Sequence, residues 1–210
     1  MAGDFGYMKN RIQNELKRDN TDQELADAIC DAIAYYRRQR FGFNMGRSTT
    51  ATVAGVEYYR LPTDFVEADS MVLNLSNYRP RLQERAFTWI DDQEDSDTQT
   101  SRPYVYSVQN SELRLYPVPD QSYTLQLSYV KSLPEVSISA SDGATNAWMT
   151  TGVELIRLHA KVDLLMNIIR GPESMQEAQM LAAREDDVAS GLRREYKRSQ
   201  SSGKLTPSII

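Results

Sequence analysis

TGVELIRLHAKVDLLMNIIRGP, from Thr151 to Pro172, decides how this chain folds. Leu155, Leu158, Val162, Leu165 and Ile169 recur at helical spacing, and Ile156, Met166 and Ile168 widen the stripe. So broad an apolar surface predicts a helix with neighbours on more than one side. TGVE at Thr151–Glu154 reads as a capping box that opens it, and Gly171-Pro172 closes it. The partners it needs lie at the other end of the chain. YMKNRIQNELKRDN places Met8, Ile12 and Leu16 four apart on a narrow stripe. TDQE at Thr21–Glu24 reads as another capping box, after which Leu25, Ile29, Ile33 and Tyr36 share one face with Ala28 and Ala32. That helix is expected to run into RRQR, Arg37–Arg40, whose cations suit the negative end of its dipole. A last helix carries Ala178, Leu181, Val188 and Leu192, with Glu185 interrupting the stripe and RREYKR at its end.

The middle of the chain changes period. STTATVAGVEYYRLP outlines a hairpin around Ala54-Gly55, ended by Pro62. FVEADSMVLNL reads as a strand, AFTWIDDQ as a short helical turn, and EDSDTQTSRP as an exposed acidic loop. The stretch from Arg102 to Pro134 reads as a meander that turns at QNSE and is interrupted by Pro117 and Pro119. Tyr123, Leu125, Leu127 and Tyr129 alternate with Thr124, Gln126 and Ser128, as in a sheet covered on one side. PEVSISASDGATNAW has the composition of a linker. The expected fold is therefore α+β: N- and C-terminal helices packed as a helical bundle, an inserted antiparallel β-rich module and an extended C-terminal tail. Residues 1–46 and 148–198 would form the discontinuous bundle, residues 47–147 the insertion and residues 199–210 the tail.

The 210 residues include 40% hydrophobic side chains, enough for a core, and carry a net charge of -5, which argues against a dedicated nucleic-acid binder. The single cysteine, Cys30 in LADAICDAIAYY, excludes an internal disulfide framework and a cysteine-based zinc cage, and reads as a packed thiol. The N-terminus does not join a basic start to an apolar run, and no apolar stretch approaches the roughly 20 residues of a membrane span. A cytoplasm-like compartment is expected, or wherever an assembly carries the chain, with no membrane partner.

Chemistry-bearing patterns are sparse. His159 is the lone histidine, so a histidine metal cluster is excluded, and its place beside the buried stripe reads as a helix-contact histidine. Glycine-rich phosphate loops do not occur. In DDQEDSDTQTSR, Asp91, Gln93, Asp95 and Asp97 alternate as calcium ligands would, yet the sixth place is Ser96 and the twelfth Arg102. A solvated acidic loop reads better. YYRRQRF has the letters of a nucleic-acid surface, but Tyr36 already belongs to a helical stripe. No cofactor and no catalytic or metal residue is expected.

Four segments in order, ELADAICDAIAYYRRQRFGFN, GVEYYRLPTDFVEADSMVL, SELRLYPVPDQSYTLQLSYVKSLP and TNAWMTTGVELIRLHAKVDLL, resemble the head-to-tail adaptor proteins of tailed bacteriophages, nearest to the type of short-tailed phages called a tail accessory factor. The likeness runs from about Tyr7 to Lys197 and includes LRLYP at Leu113–Pro117. It implies a ring, typically of about twelve copies, beneath the portal protein. Such a ring extends the DNA channel, helps retain the genome and receives a tail or nozzle protein, while genomic DNA passes without sequence-specific binding. The place implied is the virion, with assembly in the host cytoplasm. It also implies that the C-terminal segment docks into the portal, which would use Lys204, Leu205, Thr206, Pro207, Ile209 and Ile210. Basic and acidic stretches that could pair between neighbouring subunits are Arg37, Arg38 and Arg40 with Asp91, Asp92, Glu94 and Asp95. Two other readings stay open: a head-completion or tail-tube terminator component, and a metal-assisted hydrolase using Asp91, Asp92 or Asp95.

Overall fold

A computed structural model of the protein describes residues 3–17, 22–93, 100–134 and 141–201. In chain order it contains α1 (Phe5–Leu16), α2 (Asp22–Tyr36), a 3-10 turn (Gly42–Asn44), β1 (Met45–Ala51), β2 (Tyr58–Arg60), β3 (Phe65–Asn74), β4 (Gln83–Glu84) and α3 (Phe87–Gln93). Then follow β5 (Thr100–Ser101), β6 (Val105–Gln109), β7 (Glu112–Tyr116), β8 (Val118–Pro119), β9 (Thr124–Lys131), α4 (Ala147–Thr150), α5 (Val153–Asp163), a π-helical segment (Leu164–Ile169) and α6 (Pro172–Ser201). The class is α+β, and the helices from both ends of the chain share one bundle. Contacts divide the chain into two compact units, Met1–Asn44 with Ser132–Ile210, and Met45–Lys131.

The helical unit is organised around the apolar stripe of α5. Leu155, Ile156 and Ala160 are fully buried against Phe5, Ile12 and Ile29 from α1 and α2. The helical period stops at Leu164, where i→i+5 bonding begins. That change of winding keeps Leu164 and Leu165 inside but leaves Met166 49% and Ile168 43% exposed. Two of the residues that widened the stripe are therefore not core. Arg170 turns the chain with φ 44, and Pro172 sits in the first turn of α6, where its missing N–H costs nothing. The 30 residues of α6 make a rod about 45 Å long.

Several local expectations fail here for identifiable reasons. Thr151 does not cap α5: Asn146 caps the preceding short helix by accepting from Trp148 and Met149, and Gly152 precedes α5 without a side-chain cap. The proposed capping residue Thr21 lies outside the described residues. The cations of RRQR follow α2, which ends at Tyr36, so they do not occupy its last turn. The end of the supposed linker is tied to α1. Phe5 and Gly6 donate backbone bonds to Ala144 and Asp142, and Lys9 pairs with Asp142 at 2.8 Å. Gly6 lets this strap approach, because a Cβ there would lie 2.6 Å from the Asp142 Cβ. The strap at 141–146 thus joins the helical unit, not the β-rich one.

Among the described residues the β unit holds three sheets, ordered β1-β9-β3, β2-β7-β6-β4 and the two-stranded β5-β8. β9 is the central strand of the first, antiparallel to both neighbours. Its alternating residues Leu125, Leu127 and Tyr129, with Tyr123 just before it, are buried with Met71 and Leu73 of β3 and Leu115 of β7. β6 and β7 form a hairpin whose loop residues, Asn110 and Ser111, both have positive φ, as a two-residue type I′ turn requires. The turn at Ala54-Gly55 exists, with Gly55 at φ 77, but the runs around it do not pair with each other. β1 pairs with β9 and β2 with β7, so the expected hairpin is replaced by a crossing between two sheets. β1 also begins at Met45, before the span read as β-rich.

Candidate functional site

Three polar networks and one apolar surface stand out among the described residues. In the helical unit, Glu185 of α6 is 7% exposed at a core position of its helix. Its carboxylate accepts from the Tyr36 hydroxyl of α2 and pairs with His159 Nδ1 of α5 at 2.7 Å. Burial would raise this carboxyl, but the bonds from His159 and Tyr36 hold it below the ordinary carboxylate range. Burial and the same carboxylate push the Tyr36 phenol far up. Tyr35, 61% exposed, stacks on the His159 ring at 4.7 Å. The lone histidine is a clamp between helices.

A second network joins α1 to α5. Glu15 accepts from Arg11 at 3.0 Å, from Arg157 and, more loosely, from Lys161 at 3.4 Å. Burial opposes ionisation of Glu15, yet the Arg11 bond and the charges of Arg157 and Lys161 hold its carboxyl low. Lys9, 6% exposed, contacts both Asp22 and Asp142. Burial alone would lower its ammonium; the bonds to the two aspartates raise it instead.

In the β unit, Arg114 of β7 is 3% exposed and bonds Glu57 and Asp91 while lying 4.6 Å from the Phe87 ring centroid and 5.5 Å from that of Tyr58. α3 folds over this guanidinium. An open polar groove nearby is lined by Asp69, Arg81, Glu84, Arg85 and Tyr106, with the Tyr106 hydroxyl donating to Glu84 at 3.2 Å.

The residues singled out from the sequence fall as follows. Arg37, Arg38 and Arg40 are exposed beyond the end of α2, in the helical unit. Asp91 and Asp92 are exposed in the last turn of α3, in the β unit, and Asp91 is already engaged by Arg114. Glu94 and Asp95, and the tail residues Lys204, Leu205, Thr206, Pro207, Ile209 and Ile210, lie outside the described residues. Asp91 and Gln93 are helical, unlike ligands of a calcium loop, and among the described residues no group of three His, Cys, Asp or Glu is placed to hold a metal. Cys30 is half-buried, and burial with Asp27 and Asp31 nearby raises its thiol. No described helix is long and apolar enough to cross a membrane.

Sequence reasoning missed Arg114, Glu15, Arg157 and Lys161, all polar positions that periodicity assigns to solvent. Glu185 carried a signal: a carboxylate at a core position of a helix asks for a buried partner, and the chain has one histidine. Exposed Met166, Ile168, Met175 and Met180, at 49%, 43%, 52% and 64%, mark the hairpin of the π segment and α6 as an apolar surface.

A family model described as SU10 adaptor protein matches residues 4–207. No curated protein matches the chain. The match spans both units and agrees with the resemblance to phage adaptors. The chain belongs to the SU10 adaptor protein family.

Proposed function

We propose that this protein is the head-to-tail adaptor of a short-tailed phage, a structural virion component that forms a ring of about twelve copies under the portal. The observation that carries the reading is the family match over residues 4–207. The ring extends the DNA channel, helps retain the packaged genome and offers a platform to the next tail protein. Segment 201–210 acts as the docking arm to the portal through Lys204, Leu205, Thr206, Pro207, Ile209 and Ile210. Many arms engaging one portal offset the ordering cost that each arm meets on docking. The exposed apolar hairpin around Met166 and Met175 supports a protein built for contact with other chains. Charged stretches at Arg37, Arg38 and Arg40 and at Asp91, Asp92, Glu94 and Asp95 contribute to contacts around the ring. An assignment of hydrolysis to Asp91 gains no support from a carboxylate held by Arg114.

Deleting residues 201–210 tests the docking assignment. The truncated chain is expected to keep its circular dichroism and melting temperature while losing portal binding. Unchanged portal binding by the truncated chain would refute the role given to the arm.

A further inference from the structure

The network at Glu15 is electrically incomplete. Arg157 and Lys161, 9% and 7% exposed, stand one turn apart on α5 and both rely on the Glu15 carboxylate, which Arg11 also uses. These three cations share one anion among the described residues. Among the described residues, Arg157 Nε is the buried side-chain donor left without any hydrogen-bond partner. Buried charge without matching counter-charge is costly, so this cluster is set to receive another anion. Arginine forks favour planar carboxylates, which they bind bidentately.

The complementary surface is on the other flank of the same unit. Residues 157 and 159 lie about 200° apart around a helix, so the cations face away from the side on which His159 meets Glu185 of α6. Along α6, Asp186 and Asp187 are exposed and, among the described residues, take no part in the ion pairs His159–Glu185 and Glu154–Arg184. Among the described residues, one flank thus has a surplus of positive charge, and α6 exposes two acids that enter no ion pair. Two different, complementary flanks on one unit are what a heterologous, ring-closing contact requires.

We propose that the Arg11–Arg157–Lys161 cluster receives the Asp186 and Asp187 carboxylates on α6 of a neighbouring copy. This rests on the ring reading and names the contact that closes it. Glu15 holds the cationic side chains in position, and the incoming carboxylates supply the missing counter-charge.

The test is portal-dependent assembly of three full-length chains, followed by analytical ultracentrifugation: wild type, D186K/D187K, and D186K/D187K with Arg11→Glu. Both aspartates are exposed, so the reversal should leave the monomer's melting temperature unchanged. Reversal is expected to raise the concentration for half-assembly at least about tenfold, and Arg11→Glu in the same chain to recover part of that loss. Equal assembly of wild type and D186K/D187K would overturn this contact and leave the ring standing. Loss on reversal without any recovery by Arg11→Glu would also overturn the pairing. Failure of the wild type itself to form rings on the portal would remove the ring reading, and this contact with it.

Discussion

Replacing Glu185 by alanine should destabilise the helical unit more than any exposed charge change. The carboxylate is 7% exposed and joins three helices through the Tyr36 hydroxyl and His159 Nδ1. Its removal leaves a 3%-exposed tyrosine with an unpaired hydroxyl, worth about 1–3 kcal/mol, and deletes a charge-assisted bond to the imidazole. The sum is about 2–4 kcal/mol, or a melting temperature lower by roughly 5–15 °C. Glu185→Gln keeps an acceptor for Tyr36 and should cost only about 1 kcal/mol. Arg184→Ala breaks a 2.6 Å pair with Glu154 whose side chains are 61% and 42% exposed, and should cost under about 0.5 kcal/mol. The pH dependence has a definite sign. A carboxyl lowered in the folded state contributes stability above its unfolded value, and that stability is lost as pH falls through the lowered folded value. The gap between wild type and Glu185→Gln should therefore be full at pH 7 and close in acid. Urea denaturation followed by circular dichroism at several pH values measures all three variants. An alanine variant within about 0.5 kcal/mol of wild type would show that the network contributes nothing.

Lys9→Met should cost about 1–3 kcal/mol below the ordinary lysine range, and wild type should lose this advantage only as pH rises through the elevated folded value; alkaline denaturation curves test it. Arg114→Lys should loosen α3, because an ammonium cannot hold Glu57 and Asp91 in the guanidinium's forked geometry; faster amide exchange in residues 87–93 is the readout. Gly46→Val would place a Cβ 2.8 Å from the Tyr129 ring and disturb its 2.9 Å bond to Asp64, at a cost of about 1–3 kcal/mol in thermal melts. Removal of segment 201–210 should greatly weaken portal binding without moving the melting temperature.

The sequence was most legible where burial is strongly periodic. Leu155 and Ile156 on α5, Ile29 on α2 and the alternation of β9 announced core faces, because water exclusion acts on every residue of a regular element. Long-range pairing was not legible. Gly55 supplies a turn, but nothing local states that the strand before it joins β9 and the strand after it joins β7. The π segment escaped too, since a stripe read at 3.6 residues per turn carries Met166 and Ile168 inward when the wider winding brings them out. Buried charges failed in the opposite direction. Arg114 lies between Leu113 and Leu115 and reads as outward-facing, and only the fold of α3 across β7 encloses it. The functional reading came from several weak segment matches in one order, while the charged clusters became visible only in three dimensions.

The measurement nearest the centre of the account is electron microscopy of the purified protein mixed with the portal of its own phage. The account requires closed rings of this chain stacked coaxially on the portal, continuing its channel. Protein that stays monomeric beside bare portals, or that decorates the tail tube away from them, would contradict it.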